Sequence, residues 1–219
     1  MLFDLDGTLI DSVYQHVLAW REVLEDEGFD IPVWTIHRKI GMSGGLFARA
    51  LFRETGTPFS PELSERLRAG HAAAFARYRS LIRPLPGAVE LLRSLTEFGV
   101  PWAIATSGQR VTAGPTLESL GVPDDVPIIT RDLVHRAKPD PDLFLAAAEA
   151  LRHPIEDCVV VGDSVWDLLA AQRARSLGVG LLTGGYGAEE LERSGAFRVY
   201  EDPADLLSHL DEIGIRQPD

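Results

Sequence analysis

From Gly87 onward, short apolar runs alternate with stretches of helical period, and that alternation limits the fold more than any other feature of the sequence. The pattern predicts a helix over 87–98 ending at Gly99, a strand over 100–105, a helical stretch over 109–120 broken by Gly114-Pro115, and a short strand at Ile128-Ile129. Asp140 and Pro141 read as the N-cap and first-turn residue of a helix over 141–151. Strand 158–161, helix 164–176, strand 179–182, helix 188–194, strand 197–200 and helix 203–213 complete the series. Repeated strand–helix units imply a parallel sheet with helices on both faces. The fold class expected is α/β, a doubly wound parallel-sheet core.

Residues 12–80 follow another rule. Val13, Val17, Leu18, Trp20, Val23 and Leu24 recur at helical spacing until Gly28, and Ile31-Pro32 opens a shorter piece through Lys39. A flexible Gly41-Met42-Ser43-Gly44-Gly45 loop leads to helices over 46–54 and 61–79, and Pro84 with Pro86-Gly87 marks a boundary. A chain of 219 residues is long enough for a core domain carrying an inserted smaller one. The division expected is a core of residues 1–11 and 85–219 and an all-helical insert over 12–84.

Ahead of the insert, a very short buried strand over 2–5 delivers Asp4-Leu5-Asp6-Gly7. Residues two apart share a strand face, so Asp4 and Asp6 can point the same way, and Gly7 lets the backbone turn at once. Carboxylates this close repel unless a cation, a shared proton or distinct roles separate them. A solvated turn would use the same residues. A calcium loop would need Gly at its sixth position and Glu at its twelfth, where Leu9 and Gln15 stand. In open parallel sheets ligands bind beyond the carboxyl ends of the strands. Those ends carry Asp4 and Asp6, then Thr106-Ser107-Gly108, then Asp163 with Asp167, with Lys138-Pro139 in a loop within reach.

Composition narrows the partners. A formal charge of −12 argues against nucleic-acid binding, so a phosphate pocket needs local positive charge or a metal. No apolar run reaches the length of a membrane span, and Asp4 comes too early for a signal peptide. The single cysteine, Cys158, sits in an apolar run and reads as a buried small hydrophobe, in keeping with a reducing cytoplasm. Lysine is confined to Lys39 and Lys138.

Asp4-Leu5-Asp6-Gly7-Thr8, Thr106-Ser107-Gly108, Lys138-Pro139 and Gly162-Asp163-Ser164-x-x-Asp167, in this order, resemble the motifs of the haloacid dehalogenase superfamily, in particular its small-molecule phosphatase branch, which includes phosphoglycolate phosphatase-like and β-phosphoglucomutase-like enzymes. The resemblance implies a Rossmann-like core with the insert as a helical cap, and a phosphatase acting through an aspartyl-phosphate. Asp4 would be the nucleophile, needing no base because a carboxylate is already ionised. Asp6 would protonate the leaving oxygen and then deprotonate water, its pKa raised by Asp4 and Asp163. Mg²⁺ is implied on Asp4, the Asp6 carbonyl and Asp163, with Asp167 outside that set, holding a metal water or Lys138. Thr106, Ser107, Gly108 and Lys138 would hold the phosphoryl oxygens. Members that displace halide generally lack the second aspartate, so Asp6 favours phosphoryl transfer.

In the cap, His16 begins a His-x-x-Ala-Trp pattern similar to that of sugar-phosphate members, and Gly41-Met42-Ser43 resembles their specificity loop. Mutases of the family place an arginine after that loop's serine. Here Gly44 follows, so Arg38 or Lys39 would have to substitute, although Lys39 reads more simply as a helix-end surface residue. The phosphonatase branch needs a cap lysine, for which Lys39 is the candidate. The other histidines have no partner legible in the sequence. Only Met1 to Phe3 precede Asp4, so either the first strand is unusually short or the chain as given starts late. The partner expected is a small phosphorylated metabolite such as phosphoglycolate or a sugar phosphate, with neither nucleic acid nor membrane, in the cytoplasm. The oligomeric state stays open, a monomer included. Alternatives are a sugar phosphomutase and a non-catalytic phosphate-sensing protein. The crossings at Asp11-Ser12 and Pro84-Leu85-Pro86 are the expected hinges.

Overall fold

A computed structural model describes residues 1–58 and 60–216. The chain opens with β1 (Leu2–Phe3) and β2 (Ile10–Asp11), then runs through α1 (Val13–Asp26), α2 (Val33–His37), α3 (Gly44–Thr55) and α4 (Pro61–Tyr78) to β3 (Arg83–Pro84). The alternating part follows as α5 (Ala88–Glu97), β4 (Ala103–Ala105), α6 (Arg110–Glu118), β5 (Ile128–Ile129), α7 (Asp142–Leu151), β6 (Val159–Gly162) and α8 (Val165–Ala174). It ends with β7 (Leu177–Leu181), α9 (Ala188–Arg193), β8 (Ala196–Tyr200) and α10 (Pro203–Ser208).

Six strands form one parallel sheet in the order β5-β4-β1-β6-β7-β8, so the order reverses at β1. Phe3 lies beside Ile104 on one side and Val161 on the other. The residues that follow those three therefore leave the sheet along one edge, at the switch point where such folds bind ligands. The period-2 alternation divides the core cleanly. Phe3, Ile104 and Val161 pack on the side of Leu91, Leu95 and Leu206, while Leu2, Ala103, Ala105 and Val160 face Phe144, Ala147 and Ala170. In α5 the buried Ala88, Leu91, Leu92 and Leu95 make one apolar stripe, each leucine contributing about 2 kcal/mol by burial.

Between β2 and β3 the chain is wholly helical and forms a cap whose α1 and α4 pack along each other. Its two ends meet: Ile10 pairs with Pro84 and Asp11 with Arg83 in an antiparallel two-residue ladder. The strand expected over 2–5 is paired over Leu2–Phe3, and the Met1 amino group donates to the Pro101 carbonyl.

Sequence expectations change at several points: the strand expected over 100–105 starts only at Ala103, and α3 takes in Gly44 and Gly45, expected in the loop. Gly114-Pro115 does not break α6. The carbonyl that Pro115 leaves without a donor belongs to Val111, which is 82% exposed and open to water. Pro141, not Asp140, caps α7, and Asp140 turns toward Arg173 at 3.7 Å. Helix 203–213 ends early at Ser208, and a 3₁₀ turn over Leu210–Ile213 follows.

Candidate active site

Asp4 leaves β1 with its N–H on the Val161 carbonyl at 2.9 Å, and the chain then folds back tightly, with Leu9 and Ile10 both donating to the Leu5 carbonyl. Gly7 makes this turn possible at φ 87°, and a Cβ there would fall 2.4 Å from Asp163 Oδ2. Thr8 Oγ1 donates to Asp163 Oδ1 at 2.8 Å, tying the first motif to the last.

Asp4, Asp163 and Asp167 are buried, and each offers a carboxylate oxygen within 4.8 Å of the others. Lys138 is fully buried among them. Its ammonium donates to Asp4 and lies 2.8 Å from Asp167 Oδ1, at an angle short of a hydrogen bond. The other oxygen of Asp167 accepts from the Ser164 hydroxyl at 2.5 Å and its N–H at 3.1 Å, which fixes the start of α8. Burial pushes the Asp4 carboxyl up to about 7, with Lys138 opposing and Asp167 adding to the rise. Burial, then Asp167 and Asp4, also raise Asp163 well above the usual range. For Lys138 burial pulls down, but Asp167 and Asp4 outweigh it and hold the ammonium charged. Three buried carboxylates facing one ammonium leave negative charge that a hard divalent cation would balance, so this donor set fits one.

This arrangement has a pH signature when chelator keeps divalent cations away. A protonated Asp4 contributes stability that is full below its ordinary value of 3.8 and is lost as pH rises through about 7. The melting temperature in chelator is expected to fall between pH 5 and pH 8 by about 5 °C, and an added divalent cation should restore it at the upper end. A flat or rising melting temperature across that window would contradict the buried cluster.

Asp6 departs from the sequence expectation. Its Oδ1 lies 3.2 Å from His16 Nε2 and accepts from Ser12 Oγ at 2.7 Å. Burial pushes its carboxyl up, but His16 and the bonds from His16 and Ser12 win, holding it below the ordinary value. The raised pKa expected from Asp4 and Asp163 is therefore overturned: those carboxylates are engaged by Lys138 and Thr8, and Asp6 faces the cap.

Thr106 is buried at the end of β4, and its hydroxyl oxygen accepts the Gly108 N–H at 2.9 Å, so that N–H is occupied. The Ser107 hydroxyl oxygen is buried and makes no hydrogen bond among the described residues. An orphaned donor beside a cleft invites an acceptor from a ligand.

The cleft, about 360 Å³, lies between this edge and the cap. Asp4, Asp6, Thr106, Ser107 and Gly108 line it from the core, and His16, Lys39, Gly41, Met42 and Ser43 from the cap. Lys39 is not a surface residue: it is buried, with its ammonium 2.8 Å from Glu54. Arg38 is not in the cleft; it reaches Glu190 of the core and lies over the Tyr186 ring. Sequence reasoning missed Arg68, His71 and Phe47, which also face the cleft. Arg68, His71 and Phe75 recur at helical spacing on α4, a signal that identifies one face without saying what it faces. His71 stacks on Trp20 at 4.3 Å and meets His16 at 3.1 Å, and burial, then His16, holds it neutral.

The haloacid dehalogenase-like hydrolase family matches over residues 1–175. Hexitol phosphatase A of Escherichia coli is 32% identical over 79% of this chain and 78% of its own length, and phosphoglycolate phosphatase of Neisseria meningitidis is 33% identical over 84% and 80%. The crystal structure of a hydrolase from Pseudomonas syringae, 56% identical, superposes with a TM-score of 0.94 over 97% of each chain. With its motifs gathered on one sheet edge and a family match covering most of its length, this chain belongs to the haloacid dehalogenase-like hydrolases.

Proposed function

We propose that the chain is a phosphoric monoester hydrolase of small phosphorylated metabolites that works through an aspartyl-phosphate on Asp4 and uses Mg²⁺. The observation that carries this is the convergence of Asp4, Asp163, Asp167 and buried Lys138 at the sheet edge, beside the Thr106-Ser107 turn in a metabolite-sized cleft. Hexitol and phosphoglycolate phosphatases among its relatives support a polyol or hydroxy-acid phosphate as substrate. Residues 1–11 and 85–219 form the core of this reading and 12–84 the cap; residues 59 and 217–219 lie outside the described residues.

Each group has a task. Lys138 steadies the Asp4 carboxylate and offers positive charge to the transferring phosphoryl oxygens. Thr106 and Ser107 present hydroxyls to the same oxygens. An Asp4 oxygen forms a bond to phosphorus while the ester P–O bond breaks, and its electron pair leaves on the alkoxide, which takes the Asp6 proton. To carry that proton Asp6 must first be raised, and the negative phosphoryl group seated beside it pushes in that direction. Water then gives its proton to Asp6 as it attacks phosphorus, which releases inorganic phosphate and restores Asp4. Mg²⁺ on Asp4, the Asp6 carbonyl and Asp163 would neutralise phosphoryl charge, with Asp167 holding Lys138 in line.

No helix among the described residues is long and apolar enough to cross a membrane, and the −12 charge disfavours nucleic acid. A cytoplasmic enzyme fits both, and the oligomeric state stays open. The sugar phosphomutase reading keeps one observation in its favour: Lys39 and Arg68 face the cleft from the cap, where a second phosphate would sit. Phosphate release from a panel of metabolite phosphates, with Mg²⁺ and with chelator, tests the proposal. Expected is Mg²⁺-dependent release of inorganic phosphate from at least one of them. Hexose 1-phosphates given with a trace of bisphosphate and isomerised faster than they are hydrolysed would establish the mutase. No turnover of any ester, p-nitrophenyl phosphate included, would establish a non-catalytic protein.

A further inference from the structure

The cap touches the core at a second place, outside the cleft lining. His37 closes α2, and its Nε2 lies 2.8 Å from the Gly184 carbonyl oxygen. A carbonyl only accepts, so the ring presents an N–H there. The ring is held in place by Tyr14, stacked at 5.5 Å. Beside it, Arg38 bonds to Glu190 of α9, and its guanidinium sits 4.3 Å from the Tyr186 ring centre. The Arg38 carbonyl accepts from Tyr186 Oη at 3.1 Å and from Trp166 Nε1 of α8 at 3.2 Å. The end of α2 is thus gripped by three core elements: the turn after β7, α8 and α9.

That turn also walls in a carboxylate of the site. A Cβ on Gly184 would fall 2.0 Å from Asp163 Oδ2, and one on Gly7 would fall 2.4 Å from the same oxygen. Asp163 Oδ2 is bracketed by two glycine backbones with no room for a side chain on either. The brackets are joined, because Thr183 Oγ1 donates to the Gly7 carbonyl at 2.5 Å. The turn is closed by the Gly185 N–H on the Leu182 carbonyl at 3.2 Å, and the Gly184 carbonyl accepts from the cap, through His37.

We propose that His37 is a positioning residue for Asp163, acting through Gly184, so that seating of the cap and the geometry of the cation site are coupled. This rests on the reading of Asp163 as a cation ligand. With His37 bonded, the turn over 182–184 holds the carboxylate against Gly7, so a cation there would meet a fixed oxygen. With the cap lifted, the turn loses its outer tie and the carboxylate gains freedom. Such coupling is reciprocal: a seated cap tightens the cation, and a bound cation holds the cap down by the same factor.

The probe is Mg²⁺ alone, titrated by calorimetry into the full chain and its variants, so that turnover is not the readout. His37→Leu, which removes the N–H, is expected to weaken Mg²⁺ binding about fivefold, the scale of one hydrogen bond. His37→Gln, which can restore a donor, should return to within about twofold of the wild type. In the wild type, Mg²⁺ should slow amide exchange over residues 38–42 of the cap. His37→Leu with unchanged Mg²⁺ affinity, even with a lower melting temperature, overturns the proposal by making His37 merely structural. Should His37→Leu fail to fold, the exchange measurement decides alone, and exchange over 38–42 indifferent to Mg²⁺ overturns it. A wild-type chain that binds no Mg²⁺ at millimolar concentration overturns this inference together with the metal-dependent reading of the site.

Discussion

Asp4→Asn is expected to abolish turnover, with a loss on the order of 10⁴-fold or more, because under the proposed mechanism the carboxylate oxygen that attacks phosphorus gives way to an amide. Asp4 is buried beside Lys138, where the isosteric amide still fits, so the folded protein and its cleft should survive. Asp6→Asn should fail in a different manner. Alkyl phosphates need a proton on the leaving oxygen and should slow by about 10²- to 10⁴-fold. p-Nitrophenyl phosphate has a good leaving group and should still phosphorylate Asp4, but water attack then lacks its base. The variant should release one burst of p-nitrophenol and leave a phosphoryl group on the intact protein, visible by mass spectrometry. Equal losses on aryl and alkyl substrates, with no burst, would remove Asp6 from both proton transfers.

Lys138→Met is expected to have the largest effect on stability. The ammonium is fully buried and is the cation that Asp4 and Asp167 share. Removing it leaves buried carboxylates facing one another without counter-charge, a change that costs about 3–5 kcal/mol where a buried pair is broken. The cost should depend on pH. Near pH 5 the raised Asp4 and Asp163 hold protons and the missing charge matters less, whereas at pH 8 it matters in full. Urea unfolding in chelator at the two pH values measures this directly. A variant within about 1 kcal/mol of wild type at pH 8 would show that the lysine is not what keeps the cluster together.

The parts of the site that sit at strand ends were legible in the sequence because a short strand leaves its last residues little choice of place. Asp4, Thr106 and Asp163 each follow a buried apolar run, and parallel register brings the three to one edge. The cap side was not legible in the same way. Which face of α4 looks into the cleft depends on how it packs on α1, so Arg68 and His71 carried a helical period but no address. Asp6 shows the same limit. Asp4 two positions earlier and Asp163 at the next strand end suggested a raised pKa, yet the groups that govern it, Ser12 and His16, arrive through the turn into α1. Lys39 resembled a helix-end surface residue because nothing local announces Glu54, fifteen positions later on α3. The ladder of β2 with β3 is two residues long, too short to have any period at all.

That ladder gives the chain a modular seam. Seen from the sheet, everything between Asp11 and Arg83 is one closed excursion that departs and returns at adjacent points. An excursion of this kind can be lengthened, shortened or exchanged at little cost to the sheet, because loop-closure entropy grows only slowly with length and the register of the strands does not depend on what hangs beyond the seam. The selectivity of the cleft can therefore diverge while the sheet edge keeps its place, provided that an exchanged lid still offers groups where His16 meets Asp6 and His37 meets Gly184.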